Sequence, residues 1–275
     1  MTWDDSGAQK QKCITFAALH QRDKPFLIPN PWDAGSARLL QGMGYEALAT
    51  TSSGFAHTLG RTDGMVTLEE KLLHCRSLSS ATSIPVNADF ENGYAHDPEV
   101  MQFNIHKLAE TGVAGCSIED YDRETHEVYD FDFAVERIFA AMSVIDQLDM
   151  PFQLTARAES LLRGRDDLDD TIERLQAFSK AGAHVLYAPG IASLEQLSQV
   201  TNEIDKPFNV LAPFIANATV DELAEAGAQR ISVGGALSWV TVSPLITAGW
   251  EMLKQGTFGW TSEMADSGEV KRLLS

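Results

Sequence analysis

The feature that most narrows the fold is a rhythm repeated eight times along the chain, a short apolar run followed by a capped helical stretch. The runs centre near residues 27, 48, 86, 116, 153, 185, 209 and 231. Most are continuous, not alternating, as expected of parallel strands covered on both faces. Helix starts are marked by Asp33, Thr67-Leu68-Glu69-Glu70, Asp97-Pro98, Asp170-Thr171-Ile172-Glu173, Ser193-Leu194-Glu195-Gln196 and Thr219-Val220-Asp221-Glu222. These are N-caps, capping boxes and a proline at the first helical position. Gly44, Gly112, Gly182 and Gly227 each close a helix within a few residues of the next strand, the short αβ loop of a repeated unit. Eight such units in roughly 230 residues is the count of a closed α/β barrel of the (β/α)8 TIM type. An open doubly wound sheet is the alternative, but neither GxGxxG nor a Walker sequence follows the first strand.

The composition, 44% hydrophobic and 22% charged, fills an ordinary core. No linker or composition break divides the chain, so residues 1–275 are expected to form a single α/β-barrel domain. The barrel would occupy about 25–255, with 256–275 a C-terminal extension holding one short helix. Residues 1 to about 12 read as a frayed polar end, 14–20 as a short lead-in helix, 52–65 as a long polar loop, and 133–148 as an amphipathic helix. With 21 basic and 39 acidic residues the formal charge is −18, which argues against nucleic acid and anionic membrane as partners. Cys13, Cys75 and Cys116 are widely spaced, without the spacing of a zinc knuckle or a disulfide framework. With no apolar run of roughly 18 residues and no signal peptide, the expected location is cytoplasmic.

The chemistry gathers where strands stop. Pro85-Val86-Asn87-Ala88-Asp89 turns from apolar to acidic and runs on through Glu91 to Gly93. Gly115-Cys116-Ser117-Ile118-Glu119-Asp120 repeats the pattern. Acids at the C-terminal ends of barrel strands stand at the mouth, where ligands bind in such folds. Asp89, Glu119, Asn87 and Glu91 offer only oxygen ligands, which suits a hard cation, Mg2+ or Mn2+. Arg157 is placed to hold a substrate carboxylate on two prongs. Ser53-Gly54-Phe55, a small-residue turn after the second strand, is placed to direct backbone N–H groups at an oxyanion. Asp63 stands in the loop beyond, and Tyr187 and Asn209 end the sixth and seventh strands. On the competing view these acids cap helices, Arg157 and Glu159 form a structural bridge, and Cys116 is a small core residue.

Asn30-Pro31-Trp32-Asp33-Ala34, Ser53-Gly54, Asn87-Ala88-Asp89, Gly93-Tyr94, Ser117-Ile118-Glu119-Asp120 and Ala156-Arg157-Ala158-Glu159 resemble the isocitrate lyase/phosphoenolpyruvate mutase superfamily. The resemblance covers about residues 25–255. It implies a barrel with its last helix swapped between neighbours in a homodimer or homotetramer, and α-keto acid or enolate chemistry on Mg2+. It also implies metal-site roles for Asp89 and Glu119 and carboxylate binding by Arg157. Ser53, Gly54 and Phe55 would form the oxyanion turn, and Asp63 would lie near substrate. Two departures follow. Asn87-Ala88-Asp89 stands where the family has Asp-x-Asp. The segment from Tyr121 to Tyr129, expected as a charged loop that orders when ligand arrives, lacks both the proton-transfer cysteine of the isocitrate and methylisocitrate lyases and the lysine- and asparagine-bearing gating loop of the phosphonopyruvate enzymes. The expected activity is cleavage of a C–C bond in a small α-keto or α-hydroxy dicarboxylate of the oxaloacetate type, with Arg157, Asp63 and Glu119 as catalytic residues. The alternatives are a phosphonopyruvate mutase or hydrolase and a non-catalytic dicarboxylate-binding barrel.

Overall fold

A computed structural model describes residues 6–275. Eight parallel strands form its centre: β1 Phe26–Ile28, β2 Leu48–Ala49, β3 Val86–Asp89, β4 Gly115–Glu119, β5 Gln153–Arg157, β6 Val185–Tyr187, β7 Phe208–Leu211 and β8 Arg230–Ser232. They pair in the order β1-β8-β7-β6-β5-β4-β3-β2. The two ends of that order meet where the Ala49 N–H donates to the Pro29 carbonyl at 3.1 Å, which brings the sheet round into a barrel. All eight predicted strands are present, in the predicted sequence.

The helices are α1 Ser6–Leu19, α2 Ala34–Gly42, α3 Ser52–Thr58, α4 Leu68–Ala81, α5 Pro98–Ala109, α6 Phe131–Ile145, α7 Leu168–Lys180, α8 Leu194–Asn202, α9 Val220–Glu225, α10 Ala236–Gln255 and α11 Ser267–Leu274. Most predicted caps are the observed ones: Thr67 and Thr219 close full capping boxes with Glu70 and Glu222, and the Asp97 side chain accepts from two backbone N–H groups. The exception is α7, capped three residues before the predicted Asp170 because the Asp167 side chain accepts the Asp170 N–H at 2.9 Å. Gly44, Gly112, Gly182 and Gly227 have φ between 89° and 105°, the left-handed backbone that glycine adopts most cheaply.

Four further boundaries differ from expectation. Of the N-terminal stretch expected to be frayed, residues 1–5 lie outside the described residues, while 6–12 belong to α1, whose Cys13 and Phe16 are buried in the core. The polar loop predicted from Ser52 opens instead with α3, because the Thr51 hydroxyl caps it by accepting the Gly54 N–H at 3.2 Å. Helix α6 begins at Phe131 because Asp130 caps it. Between Tyr121 and Val128 the charged segment folds into a two-stranded antiparallel ribbon, Tyr121–Asp122 against Glu127–Val128.

Helix α10 departs from the rest. It is 20 residues long, about 30 Å at 1.5 Å per residue. Of these residues only Ser238 is buried, whereas Trp239, Val240, Leu245, Ile246, Trp250 and Leu253 are exposed. The chain then returns, and α11 docks on α2: the Arg38 guanidinium donates to the Leu274 carbonyl, and Leu273 is buried. The contact needs Gly42, since a Cβ there would collide with the Leu273 carbonyl. Gly42→Ala is therefore expected to lift α11 at an overpacking cost of about 1–3 kcal/mol. Hydrogen exchange of the α11 amides should accelerate while the barrel strands keep their protection, and unchanged exchange would refute the docking.

Candidate active site

The mouth is built from the ends of three adjacent strands. Asp89 ends β3, Glu119 ends β4 and Arg157 ends β5, with Glu119 and Arg157 in direct register. Arg157 Nη1 lies 3.4 Å from Asp89 Oδ1 and 3.5 Å from Glu119 Oε2. Its Nε donates to Glu159 Oε1, so the competing view of that pair as a bridge holds as well. Glu159 in turn meets Arg163 at 2.8 Å. Asp89 is anchored from behind: its Oδ2 accepts the Ser52 N–H at 3.0 Å, and its own N–H donates to Thr50 Oγ1 at 2.9 Å. The same hydroxyl accepts from the fully buried Lys71 at 3.0 Å.

A second guanidinium closes the other side. Arg123 reaches in from the ribbon, its Nε 3.3 Å from both Glu91 and Glu119 and its Nη1 3.4 Å from Asp63. The loop that brings Glu91 to this point is held in left-handed backbone at Glu91 (φ 51°) and Tyr94 (φ 57°), and Tyr94 Oη donates to Glu91 Oε1 at 3.1 Å. Asp63, Glu91, Glu119, Asp89 and Arg157 thus belong to one charge network. Arg123 and Lys71, which tie it together, carry no signal in the sequence beyond their charge.

The environment separates the acids. Burial raises the Glu119 carboxyl above its usual range, with Arg157 only partly opposing it and Glu159 adding to the effect. Burial likewise raises Glu91 against the pull of Arg123. At Asp89 burial also acts upward, but Arg157, Lys71 and the Ser52 N–H together hold the carboxyl below its usual range. Asp89 is therefore the acid held toward its ionised form, while burial biases both Glu91 and Glu119 toward their protons. Asp120 does structural work: burial pushes it up to about 7, and it accepts the Glu159 N–H at 2.7 Å and pairs with Arg174 at 3.2 Å.

Other predicted residues fall differently. Ser53, Gly54 and Phe55 form the first turn of α3. The Gly54 N–H goes to the Thr51 cap and the Phe55 N–H to the Thr51 carbonyl, which leaves only the Ser53 N–H of the three without such a bond. The expected oxyanion turn of three donors is thus a helix N-terminus whose other amides are already used. The Phe55 ring stacks on His74, 3.8 Å between centroids. Asn209 is buried and points its Nδ2 at Ser232 Oγ, 3.0 Å away. The Tyr187 ring lies under Arg157 at 5.2 Å. Cys116 is fully buried inside β4, a core residue as expected.

A cavity of ≈ 50 Å³ runs down the barrel from this mouth, lined by Asp89, Arg157, Tyr187, Asn87, Asn209 and Arg230 among others. The oxygen donors at the mouth fit a hard cation in kind. Asp89, Glu91, Glu119 and Asn87 supply oxygen only, and Glu119 Oε2 and Asn87 Oδ1 are buried without a hydrogen bond. Among the described residues no three His, Cys, Asp or Glu side chains form a metal cage. Mg2+ is commonly held by one or two carboxylates and several waters. Asp89 and Glu119 are the residues that would hold it.

Comparison with known proteins gives the lineage. Residues 16–252 match the phosphoenolpyruvate phosphomutase family. A solved structure from Burkholderia cenocepacia J2315 is 43% identical, with a TM-score of 0.93 over 98% of this chain and 97% of its own. The 2-methylisocitrate lyase of Escherichia coli (strain K12) is 28% identical over 213 residues, 74% of this chain and 69% of the lyase. Oxaloacetate decarboxylase 2 of Pseudomonas fluorescens (strain Pf0-1) is 27% identical over 257 residues, 89% of this chain and 84% of the decarboxylase. With a family match across nearly the whole barrel, the chain belongs to the phosphoenolpyruvate phosphomutase family and is an enzyme of the isocitrate lyase/phosphoenolpyruvate mutase superfamily of carbon–carbon lyases and mutases.

Proposed function

We propose that the protein is a Mg2+- or Mn2+-dependent lyase acting on a small α-keto or α-hydroxy dicarboxylate, with decarboxylation of an oxaloacetate-type substrate as its reaction. The observation that carries this reading is the convergence of Asp89, Glu91 and Glu119 on Arg157 and Arg123 at a mouth whose covering ribbon has no cysteine. The likeness to an oxaloacetate decarboxylase over most of the chain supports it. A bound divalent ion supplies Lewis acidity for the charge that develops on the keto oxygen.

The chain's own residues do the rest. Asp89 stays ionised because Arg157, Lys71 and the Ser52 N–H outweigh its burial. Arg157 orients the substrate carboxylate while Glu159 fixes the guanidinium from its Nε side. The C–C bond to the departing carboxylate breaks, its electron pair moves into the enolate, CO2 leaves, and water returns one proton to carbon. That sequence asks for no strong protein acid, which fits a ribbon carrying Asp122, Arg123, Glu124, His126 and Glu127 in place of a thiol. Neither nucleic acid nor membrane is a proposed partner. No helix among the described residues is long and apolar enough to cross a bilayer, and a reducing cytoplasm is the proposed location.

A substrate panel with Mg2+ and with EDTA tests the reaction. Oxaloacetate, or a close analogue, should turn over only with metal, and methylisocitrate and phosphonopyruvate should be slower by orders of magnitude. Efficient methylisocitrate cleavage would sink the decarboxylase reading. In the same assay Asp89→Ala should lose the metal-dependent rise in melting temperature, since ligand binding to the native state stabilises it by RT ln(1 + [L]/Kd); a retained rise would remove Asp89 from the metal site.

Arg157→Lys keeps the charge but loses the planar fork. We expect kcat/KM to fall roughly 10- to 1000-fold, about 1.4–4 kcal/mol. Wild-type kinetics in that variant would make Arg157 purely structural.

We further propose that the exposed apolar side chains of α10 are covered by a second copy of this chain, giving a homodimer or homotetramer. Sedimentation should show an oligomer at micromolar concentration, and Leu245→Glu with Leu253→Glu should dissociate it. A wild-type monomer would refute the assembly.

A further inference from the structure

Two cations line the barrel cavity, Arg157 and Arg230, and their surroundings are opposite. Arg157 is shared among Asp89, Glu119 and Glu159. Arg230 opens β8 at the closed end of the barrel, is 3% exposed, and has only neutral partners. Its Nε donates to Asn209 Oδ1 at 2.7 Å, and its Nη1 lies 3.4 Å from His20 Nε2. His20 is a neutral acceptor there. Its Nδ1 faces the Phe16 carbonyl at 2.8 Å, and burial first, then the Arg230 charge, lowers its pKa to about 3. Burial lowers Arg230 itself to about 9, and the Tyr187 phenol is the one group pulling the other way. A buried charge without a counter-ion is costly, and proteins rarely keep one unused.

The other buried arginines show what satisfaction looks like. Arg174 pairs with Asp120 and Asp170. Arg137 has no acid either, but it donates to the carbonyls of Asn92 and His96, and its guanidinium lies over the rings of Tyr129 and Phe133. Neither lines the cavity.

The polar lining around Arg230 adds to the case. Asn209 cannot turn away, because its Nδ2 is held by Ser232 while its Oδ1 takes the guanidinium. Higher on the same inner wall, Asn87 Oδ1 and Thr155 Oγ1 are buried without partners. Interiors of such barrels are ordinarily filled by branched apolar side chains. A row of strand partners, Arg157 to Tyr187, Tyr187 to Asn209, Asn209 to Arg230, joins the two cations across β5, β6, β7 and β8. Because barrel strands tilt by about 36°, such a row descends from mouth to base. The cavity of ≈ 50 Å³ has room for a few waters or one carboxylate group, and not for a whole dicarboxylate.

We propose that the cavity floor is an anion subsite in which Arg230, positioned by Asn209 and flanked by Ser232 and Tyr187, receives a carboxylate group. Its source is the carboxylate that the dicarboxylate substrate keeps when CO2 leaves, a choice that rests on the function proposed above; a free small carboxylate is the other source with the same chemistry. The subsite makes Arg230 a determinant of specificity for two-carboxylate ligands, acting at the end of the substrate remote from the bond that breaks.

Calorimetric titration with succinate, butyrate and formate tests this on the wild type, Arg230→Gln and Arg230→Met. Methionine replaces the buried charge with an apolar chain and should fold with an equal or higher Tm, so lost binding in that variant is not lost folding. The wild type should bind succinate more tightly than butyrate. Both variants should weaken succinate by about 30-fold or more and leave butyrate nearly unchanged. If formate competes with succinate in the wild type and is lost in both variants, the substrate's own carboxylate fills the subsite. If formate is lost in both variants without competing, a free anion fills it, and the anion subsite stands with that source. Succinate and formate binding as tight in Arg230→Gln as in the wild type would overturn the subsite and leave a water-filled floor. A wild type that turns over no dicarboxylate would sink the function proposed above, and these titrations would still decide this one.

Discussion

The site depends on one half-buried guanidinium. Arg157 sits at the end of β5 with Asp89, Glu119 and Glu159 around it, and three carboxylates could not share that space without it. Removing one partner of a buried ion pair costs about 3–5 kcal/mol because it strands the others. The network therefore fixes the ends of β3, β4 and β5 relative to each other as firmly as the strand hydrogen bonds do. It also sets the proton inventory, leaving Asp89 charged and Glu119 biased toward neutral within the same small volume.

Around this centre the chain has divided labour between its acids and its cations. Asp120, adjacent to Glu119 in sequence, faces the other way and serves β5 and α7 through the Glu159 N–H and Arg174. Arg123 joins Asp63, Glu91 and Glu119, which come from three different βα loops or strand ends. A ribbon segment that brings an arginine instead of a thiol changes what the mouth can do: Arg123 neutralises the charge of Asp63, Glu91 and Glu119.

Helix α10 packs unlike the other long helices. Its exposed tryptophans and leucines contrast with α5, α6 and α7, which bury their apolar faces against the strands and against each other. The docking of α11 on α2 holds the far end of the chain, so α10 is a projecting element anchored at both ends.

The sequence by itself determined the eight strands, most helix starts, and the positions of Asp89, Glu119 and Arg157. Each of those is written locally: in the length of an apolar run, a cap three residues from its partner, a glycine with positive φ, an acid where a strand stops. The first turn of α3 was hidden because Ser52-Ser53-Gly54 has loop composition and only the Thr51 cap makes it helical. Tertiary structure alone decided which charges neutralise one another. Arg123 meets Asp63 across 60 positions, Lys71 reaches Thr50 behind Asp89, and Arg230 is left without an acid. Such pairings arise from strand register and barrel closure, which bring distant residues within 4 Å, and no local pattern in the chain encodes them.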